Sequence, residues 1–304
     1  MAVPNINESD VSSILPQLGN IRYLAQGGQK IVFSCEIEEK PYVIKFLLLE
    51  TRTQGTNQGE VEMTMPAIDA VTARAQREVD TMANIDVPTL VKLGPVSLST
   101  AEIGDQSVLY FTEEMIEGRS LRDILNEQTV LPSRDLVNLG LDVASAIEAM
   151  WNLKRIHRDI KPSNIIRRAS DGRFVLLDVG LVFDLNDISL TDPCIIVGTK
   201  MYFSPEQLEY TRKRQLDFRS DLFALGIVMY EAATGHHPFA ESTSSTSEIF
   251  ARILSSNPKR PTELRSDVPS NLAEIILRLL QKSPHLRYRN CSQLMQQLQQ
   301  VSVS

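Results

Sequence analysis

Short apolar runs separated by turn residues characterise the N-terminal part of the chain. The runs Ile31-Val32-Phe33 and Tyr42-Val43-Ile44 are rich in β-branched and aromatic side chains, and Gly27-Gly28 and Lys40-Pro41 interrupt them. Runs of this kind between glycine and proline breaks are typical of β-strands. Residues 21–50 are therefore predicted to be β-rich.

A polar stretch and a helical pattern follow these runs. Residues 51–65 are polar and aperiodic, which predicts a loop. A helix is predicted to begin near Pro66, because proline is tolerated in a first turn. Its apolar positions recur at helical spacing, at Val71, Ala75, Val79 and Met82. The runs Leu90–Leu93 and Val108–Phe111 predict two further strands.

Helical spacing prevails in the rest of the chain. Ser133 is predicted as the N-cap of a helix. The apolar stripe of that helix consists of Leu136, Leu139, Val143, Ile147 and Met150. Residues 221–234 are apolar on nearly every side and end at Gly235, which predicts a buried helix. Helices are also predicted at about 270–282 and about 290–301. Strands followed by helices favour an α+β protein with segregated halves.

Composition and charge narrow the class of protein. The 304 residues include 31 Lys and Arg against 38 Asp and Glu, a net charge of −7, so we expect no nucleic-acid partner. Cys35, Cys194 and Cys291 are too widely spaced for a disulfide framework or a zinc site, which favours free thiols in a reducing cytosol. No secretory signal and no membrane span is visible in the sequence. We therefore expect a soluble, cytoplasmic protein without a membrane partner.

Two segments in the middle of the chain carry the candidate chemistry. Residues 157–164 read His-Arg-Asp-Ile-Lys-Pro-Ser-Asn, and Asp178-Val179-Gly180 begins fourteen positions after Asn164. Two carboxylates, a lysine and an amide so close together suit a site that handles magnesium and a phosphoryl group. The segments resemble the catalytic loop and metal-binding turn of eukaryotic-like protein serine/threonine kinases. The resemblance covers about residues 20–300, and Thr199–Gln207 is similar to bacterial members of that family.

This resemblance implies a bilobal, protein-kinase-like fold of the α+β class. Residues 1–116 would form a small β-rich N-lobe with one main helix, and residues 117–304 a larger helical C-lobe, together making one protein kinase domain. The implied cofactors are ATP and Mg²⁺, with Mn²⁺ as an alternative metal. The implied partner is a protein with a serine or threonine acceptor, while the oligomeric state is left open.

The resemblance also assigns roles around the catalytic loop. Asp159 would accept or orient the proton of the attacking hydroxyl, and Lys161 would neutralise charge on the transferred phosphoryl group. Asn164 and Asp178 would hold the magnesium ion. Thr199 would contact Asp159 and Lys161, as it does in serine/threonine kinases.

Lys45 matches the strand lysine that holds the α- and β-phosphates of ATP in this family and pairs with a helix glutamate. Glu78 is the expected partner, because it lies in the middle of the predicted helix. Glu60 and Glu62 are alternatives, although both lie in the preceding polar stretch.

The glycine-rich loop departs from the family pattern. The motif G-x-G-x-x-G-x-V falls on residues 25–32, where only the middle glycine is kept and Lys30 stands in the third glycine position. Glycines there let backbone N–H groups approach phosphates, and Lys30 is expected to supply a cation instead. The expected nucleotide contacts of this loop are Ala25, Gln26, Gly27, Gly28, Lys30 and Val32.

The segment Glu113-Glu114-Met115-Ile116 resembles the hinge that joins the two lobes of a kinase. Backbone groups around Glu114 and Ile116 would bond the purine. Glu113 falls at the position that controls access to the back of the pocket, where a carboxylate is costly unless it is paired or protonated. The side chains expected to sandwich the base are Val32, Val43 and Ile166.

Two structural pairings are implied as well. Glu206, in the motif Ser204-Pro205-Glu206, is expected to pair with Arg287. Asp221 is expected to brace the backbone of His157 and Arg158.

The sequence does not decide how the protein is regulated or which class of activity it has. A phosphate on Thr191, or on Ser189 as second choice, is a hypothesis for ordering the segment through Arg158. A protein serine/threonine kinase able to phosphorylate itself is the leading function. A pseudokinase that serves as a nucleotide-binding scaffold is the alternative, motivated by the altered glycine loop, by Glu113 and by Val179. A small-molecule kinase of similar fold is a third reading, disfavoured by the Gly-Thr and Ser-Pro-Glu elements of the chain.

Overall fold

The chain divides into two compact units in a computed structural model. The first comprises Met1–Asp86 and Val91–Met115, and the second comprises Val87–Leu90 and Ile116–Ser304. The sequence places a boundary after residue 116 but does not indicate that Val87–Leu90 goes with the second unit. The residues that the structure describes are 6–27, 30–49, 65–104, 106–179, 183–184, 199–209, 216–241 and 244–302.

The first unit is a five-stranded antiparallel sheet with a helix on either face. Its strands pair in the order β1 (Gly19–Gly27), β2 (Lys30–Ile37), β3 (Lys40–Leu49), β5 (Gln106–Glu114) and β4 (Ser99–Ile103). The β-rich character of residues 21–50 is confirmed, as is the helix near Pro66, while the polar stretch 51–64 lies outside the described residues. The helices are α1 (Glu8–Ile14), before β1, and α2 (Met65–Asn84), between β3 and β4.

One face of this sheet packs against α1, a helix that the sequence analysis did not predict. Successive strand residues point to opposite faces, and in β2 Phe33 is buried on the side that meets Val11 of α1. Asn7 begins α1 with a capping box, in which its side chain accepts from the N–H of Asp10 and the Asp10 side chain accepts from the N–H of Asn7. The residues that α1 and its flanks add to this core are Ile6, Val11, Leu15 and Leu18.

The other face of the sheet carries charged residues and meets α2. Directly opposite residues in antiparallel strands share a face, and Val32 lies opposite Lys45, which lies opposite Phe111. The predicted apolar stripe of α2 is confirmed, because its four members are all buried: Val71, Ala75, Val79 and Met82. The side chain of Lys45 on this face therefore lies between the sheet and α2 rather than in water.

The segment at Leu90–Leu93 is not a strand, and that prediction was wrong. Leu90 makes an isolated parallel bridge with Leu176 in the second unit, and Leu93 makes an isolated antiparallel bridge with Glu113 in the first. Because the two residues bond within different units, they cannot share one ladder. The strand predicted at Val108–Phe111 is confirmed as part of β5.

The second unit is mainly helical, with two small sheets. Its elements are β6 (Gly118–Ser120), α3 (Leu121–Gln128), α4 (Ser133–Asn152), β7 (Arg155–Ile156), β8 (Ile165–Arg168), β9 (Phe174–Leu176), β10 (Phe183–Asp184), α5 (Pro205–Leu208), α6 (Phe218–Thr234), α7 (Thr246–Ser255), α8 (Pro261–Leu264), α9 (Ser270–Leu279) and α10 (Cys291–Gln299). Its strands pair in the orders β6-β8-β9 and β10-β7. The predicted α+β class is confirmed.

Helices α4 and α6 form the core of the second unit. The predicted stripe of α4 is buried along its whole length, and α6 is buried on nearly all sides. Helix α6 ends at Gly235, whose φ of 75° is the left-handed conformation that glycine adopts without strain. Trp151, near the end of α4, packs on Phe218 with their ring centroids 5.3 Å apart.

The predicted N-cap of α4 was wrong by one residue. Pro132 is the N-cap, with φ −58° and ψ 150°, and Ser133 is the first helical residue. The fixed φ of proline suits the extended entry to the helix, and its side chain has no hydrogen-bond acceptor, so no side-chain cap is formed. Among the described residues, no helix combines the length and apolarity that a membrane crossing requires.

Candidate active site

The loop after β7 is held by a buried carboxylate from α6. The two oxygens of Asp221 accept the backbone N–H of His157 at 2.8 Å and of Arg158 at 2.9 Å. The predicted brace is therefore confirmed. Arg158 has a φ of 67°, a conformation that a non-glycine residue keeps only where its surroundings hold it.

The ring of His157 holds the same loop through hydrogen bonds, a role that the sequence analysis missed. Its Nδ1 accepts the N–H of Asp159 at 3.2 Å, so Nε2 carries the proton and donates to the carbonyl of Leu177 at 2.9 Å. Complete burial lowers the pKa of His157, which keeps the ring neutral and suits one donor and one acceptor. The histidine thus ties the loop of residues 157–164 to the chain just before Asp178.

Asp159 lies at the centre of a cluster of polar groups. The Nζ of Lys161 lies 2.8 Å from Asp159 Oδ2, and Asn164 Nδ2 donates to both the backbone carbonyl and Oδ2 of Asp159 at 2.9 Å. The other oxygen, Oδ1, is buried and has no hydrogen-bond partner within the described part of the chain. A buried carboxylate oxygen of this kind is able to accept a hydrogen bond from an incoming group.

The pKa of Asp159 is raised to about 6. Burial is the main cause, and the charge of Asp178 adds to it, while Lys161 and Asn164 act in the opposite direction. A carboxylate with this pKa is still mostly ionised at neutral pH, and it accepts a proton more readily than an exposed aspartate does.

Asn164 and Asp178 are brought together by strand pairing. Asn164 directly precedes β8 and Asp178 lies just beyond the end of β9, and Ile165 pairs with Leu176 in this antiparallel hairpin. The N–H of Leu177 also donates to the carbonyl of Asn164 at 2.8 Å. Asp178 has a φ of 56°, so its position, like that of Arg158, is imposed by its neighbours.

The donor set of these two residues fits a magnesium ion. Asn164 uses its Nδ2 toward Asp159, which leaves the amide oxygen as the group suited to a cation, and Asp178 supplies a carboxylate. Magnesium prefers hard oxygen ligands and keeps several waters, so two protein ligands are sufficient when phosphates complete the shell. No group of three or more acidic, histidine or cysteine residues that could hold a metal occurs within the described ranges.

In the first unit, Lys45 lies between two carboxylates. Its Nζ is 3.5 Å from Glu78 Oε1 and 2.8 Å from Glu113 Oε2. Glu78 also contacts Lys30, whose Nζ lies 2.9 Å and 3.1 Å from its two oxygens. The structure thus places the expected partner beside Lys45 and pairs the carboxylate of Glu113. The alternatives Glu60 and Glu62 lie outside the described residues.

The residues expected to contact the nucleotide in the first unit occupy one hairpin and its neighbouring strand. Ala25, Gln26 and Gly27 are exposed at the end of β1, and Gly27 pairs with Lys30 at the start of β2. Gly28 lies outside the described residues. A Cβ at Gly27 would meet no atom within 4 Å, so packing among the described residues does not require this glycine.

Val32 and Val43 are half-buried on the same face of the sheet as Lys45. The backbone N–H of Glu114 donates to the carbonyl of Lys92 at 3.0 Å, so that N–H is not open to a purine. In the second unit, Ile116 and Ile166 are also half-buried, and Ile166 pairs with Val175.

The segment after Asp178 is described only in parts. Thr199 begins a 3₁₀ turn that ends at Tyr202, but the side chain of Thr199 lies outside the described residues, and so do Ser189 and Thr191. The contact of Thr199 with Asp159 and the docking of a phosphate therefore stay predictions.

The end of that segment is fixed to the core of the second unit. Glu206 and Arg287 form two hydrogen bonds of 2.6 and 2.9 Å, which confirms the predicted pair, and Ser220 donates to Glu206 as well. Burial alone would raise the pKa of Glu206, but the hydrogen bonds and charge of Arg287 outweigh it and hold that pKa below its ordinary value.

A second network was missed by the sequence analysis. Arg122 donates to Glu231 at 2.7 Å and to the hydroxyl of Tyr202 at 2.6 Å, and Tyr202 donates to Glu231 at 2.8 Å. The three residues lie far apart in the chain, so no local sequence motif predicts this network. They hold the 3₁₀ turn at Tyr202 against α3 and α6.

Comparison with known proteins gives one family match and a set of bacterial relatives. The family model described as "protein kinase domain" matches residues 20–299. A probable serine/threonine-protein kinase of Clostridium perfringens is 28% identical over 77% of this chain and 32% of its own length. The serine/threonine-protein kinase PknB of Mycobacterium leprae is 29% identical over 73% of this chain and 34% of its own length. A probable PknB of Corynebacterium glutamicum is 32% identical over 64% and 30%, so the chain spans about a third of these relatives.

Proposed function

The chain belongs to the protein kinase domain family, and from that premise we propose that it is an ATP-dependent protein serine/threonine kinase. It would transfer the γ-phosphoryl group of ATP to the hydroxyl of a protein side chain, including its own. One observation carries the proposal: the buried oxygen Oδ1 of Asp159 has no partner among the described residues, while Lys161 and Asn164 hold the other oxygen.

Asp159 is proposed as the catalytic carboxylate. Oδ2 is fixed by Lys161 and Asn164, so Oδ1 is the atom that would accept the hydrogen bond of the acceptor hydroxyl and orient its oxygen. Its pKa of about 6 favours this role, because the group is ionised at neutral pH and yet basic enough to take the proton late in the transfer. Lys161 would offset negative charge that builds up on the phosphoryl oxygens.

Asn164 and Asp178 are proposed to hold Mg²⁺, with Mn²⁺ as the alternative metal. When bound, the ion supplies positive charge that neutralises the phosphate oxygens. The chain contributes two oxygen donors whose backbones are tied together through β8 and β9, so little reorganisation is needed to form the site.

Lys45 is proposed to contact the phosphates of ATP, with Glu78 orienting its side chain. Ala25, Gln26, Gly27 and Gly28 are proposed to approach the phosphates through their backbone groups. Val32, Val43 and Ile166, with backbone groups around Glu114 and Ile116, remain the proposed contacts of the adenine ring. Thr199 remains the proposed contact of the catalytic loop.

Serine or threonine is the proposed acceptor because the relatives named above are serine/threonine-protein kinases. A reducing cytoplasmic location is part of the proposal and is supported by two free, buried cysteines, Cys35 and Cys291. Burial raises the pKa of Cys35 to about 11 and raises that of Cys291 further, so both thiols stay protonated.

The test is incorporation of labelled γ-phosphate from ATP, measured in Mg²⁺ and in Mn²⁺ with a general protein substrate. Asp159→Ala should lower transfer by about 10³-fold while nucleotide binding is kept, because it removes the catalytic carboxylate alone. Asp171→Ala is the matched control, since this exposed aspartate of the same unit lies in the turn between β8 and β9 and should leave transfer unchanged.

The position of the label separates the alternatives. Label on serine or threonine that disappears in Asp159→Ala supports the kinase. Nucleotide binding without transfer in either metal would contradict it and leave a nucleotide-binding scaffold. Substantial activity left in Asp159→Ala would show that the base has been assigned wrongly.

A further inference from the structure

Four charged side chains of alternating sign form a chain inside the first unit. Lys30 contacts both oxygens of Glu78, Glu78 contacts Lys45, and Lys45 contacts Glu113. Each member comes from a different element, namely β2, α2, β3 and β5. We call this set the charge quartet.

The quartet is deeply buried. The side chains of Glu78, Lys45 and Glu113 are 1%, 6% and 6% exposed, and that of Lys30 is 20% exposed. Water screens these charges poorly, so each one contributes strongly to the electrostatic potential around Lys45. Within the quartet, two lysines face two glutamates, so the formal charges of these four side chains sum to zero.

The strand register explains why the quartet assembles. Lys45 lies opposite Val32, two residues from Lys30 on the same strand, and Glu113 lies opposite Val43, two residues from Lys45. Residues two apart on a strand share a face, so all three charges point to the side that meets α2. Glu78 completes the set from the buried side of that helix.

Lys30 and Glu113 extend the pair on which the proposed function relies. The distance from Lys45 Nζ to the Glu113 carboxylate is shorter than that to the Glu78 carboxylate. The negative charge of Glu113 therefore offsets part of the attraction that Lys45 exerts on a phosphate. Lys30 adds a second positive charge at Glu78 and offsets the extra carboxylate. An excess of either sign would change the attraction for an anionic ligand.

We propose that Lys30 and Glu113 are positioning residues that set the affinity of Lys45 for nucleotide phosphates through the charge balance of the quartet. The proposal rests on the nucleotide binding of the proposed function. It differs from a direct contact of Lys30 with phosphate, because Lys30 is bound bidentately to Glu78.

The experiment measures dissociation constants of adenosine, ADP and ATP with magnesium for the wild type and for variants. Glu113→Gln keeps the shape of the side chain and removes its charge, so ATP should bind about tenfold more tightly. Lys30→Met should weaken ATP binding about tenfold, and the double variant should return close to the wild type. Both single effects should be smaller for ADP and absent for adenosine, which carries no phosphate.

Two controls guard the interpretation. Lys30→Arg keeps the charge and should restore ATP affinity. Lys92→Met and Asp86→Asn remove an exposed ion pair of the same unit, 46% and 89% exposed, and should leave all three ligands unchanged. Circular dichroism checks folding, and Lys30→Gln replaces Lys30→Met if the latter does not fold.

The two proposals fail in different ways. Equal changes for adenosine and ATP, or no change in ATP affinity for Glu113→Gln, would overturn the role of the quartet even if the protein transfers phosphate. Charge-dependent affinities in a protein that never transfers phosphate would support the quartet and overturn the kinase. A wild type that binds no nucleotide overturns both.

Discussion

At the scale of single residues, the buried charges of this protein are held by specific partners. Glu206 and Arg287 are the most completely buried ion pair described in the second unit, with side chains 4% and 0% exposed. Arg287 uses its remaining donors on the carbonyls of Arg219, Gln281 and Lys282. Removing only one partner of such a buried pair strongly destabilises the fold, because the charge of the other partner is left uncompensated.

Glu206→Gln should therefore lower the free energy of unfolding by about 3–5 kcal/mol, because it leaves the charge of Arg287 buried without compensation. Urea unfolding followed by circular dichroism measures this loss. Glu127→Gln is the matched control, since the pair of Arg119 with Glu127 is 47% and 65% exposed. That change should cost less than about 1 kcal/mol, and equal losses would contradict the role of burial.

The same pair predicts a dependence on pH. The pKa of Glu206 is lower in the folded protein than in the unfolded chain, so its contribution is complete above the unfolded value of about 4.3 and is lost as the pH falls through the folded value. The difference in stability between the wild type and Glu206→Gln should therefore be constant from neutral pH to about pH 5 and shrink below about pH 4. A difference that shrinks already between pH 7 and pH 5 would contradict the assignment.

At the scale of elements, two glycines of the second unit adopt the left-handed conformation, one at the end of α6 and one between β8 and β9. Gly235 ends α6 with a φ of 75°, and a Cβ there would lie 2.7 Å from Thr129 Cγ2. Gly172 has a similar φ of 71° but no atom within 4 Å of such a Cβ. Alanine at Gly172 would therefore introduce backbone strain alone, whereas alanine at Gly235 would also introduce a steric clash.

Gly235→Ala should lower the free energy of unfolding by about 2–3 kcal/mol, and Gly172→Ala by about 1 kcal/mol. Both changes place alanine in a left-handed conformation, and only the first adds a clash. Urea unfolding midpoints of the two variants provide the comparison. Equal midpoints would mean that Thr129 moves aside without cost.

Elements with a long periodic pattern were predictable, and short ones were not. The stripe of α4 and the apolar run of α6 each extend over several turns, so the sequence pattern was decisive there. Helix α1 has seven residues and a single fully buried side chain, Val11, which leaves no period to detect. The error at Leu90–Leu93 arose because an apolar run is also compatible with isolated bridges.

The candidate site was predictable where its residues follow one another in the chain. His157–Asn164 is one continuous motif, and Asp178 follows at a fixed interval. The partners of Glu113 and Lys30 could not be predicted, because they depend on the register of three strands and on the rotation of α2. Such long-range pairings leave no local trace in a single sequence.

At the scale of the whole molecule, ligand binding is expected to stabilise the fold by mass action. Magnesium ATP at about one hundred times its dissociation constant should raise the free energy of unfolding by about 2.7 kcal/mol. Asp159→Ala should keep this gain, because Asp159 is proposed to contact the acceptor rather than ATP. Lys45→Met should lose most of it, since Lys45 is the proposed phosphate contact.

Thermal and urea unfolding with and without the nucleotide measure both effects. Adenosine serves as the comparison ligand, because the loss in Lys45→Met should be confined to ligands with phosphates. A full gain in Lys45→Met would remove Lys45 from the phosphate site.

Trp151 gives the molecule a built-in optical probe of one unit. It is the only tryptophan of the chain, and it lies in α4 of the second unit against Phe218. Tryptophan emission therefore follows the melting of that unit, whereas far-ultraviolet circular dichroism sums the helices and strands of both units. Two denaturation curves recorded on the same sample would thus test whether the two units unfold together, without cutting the chain.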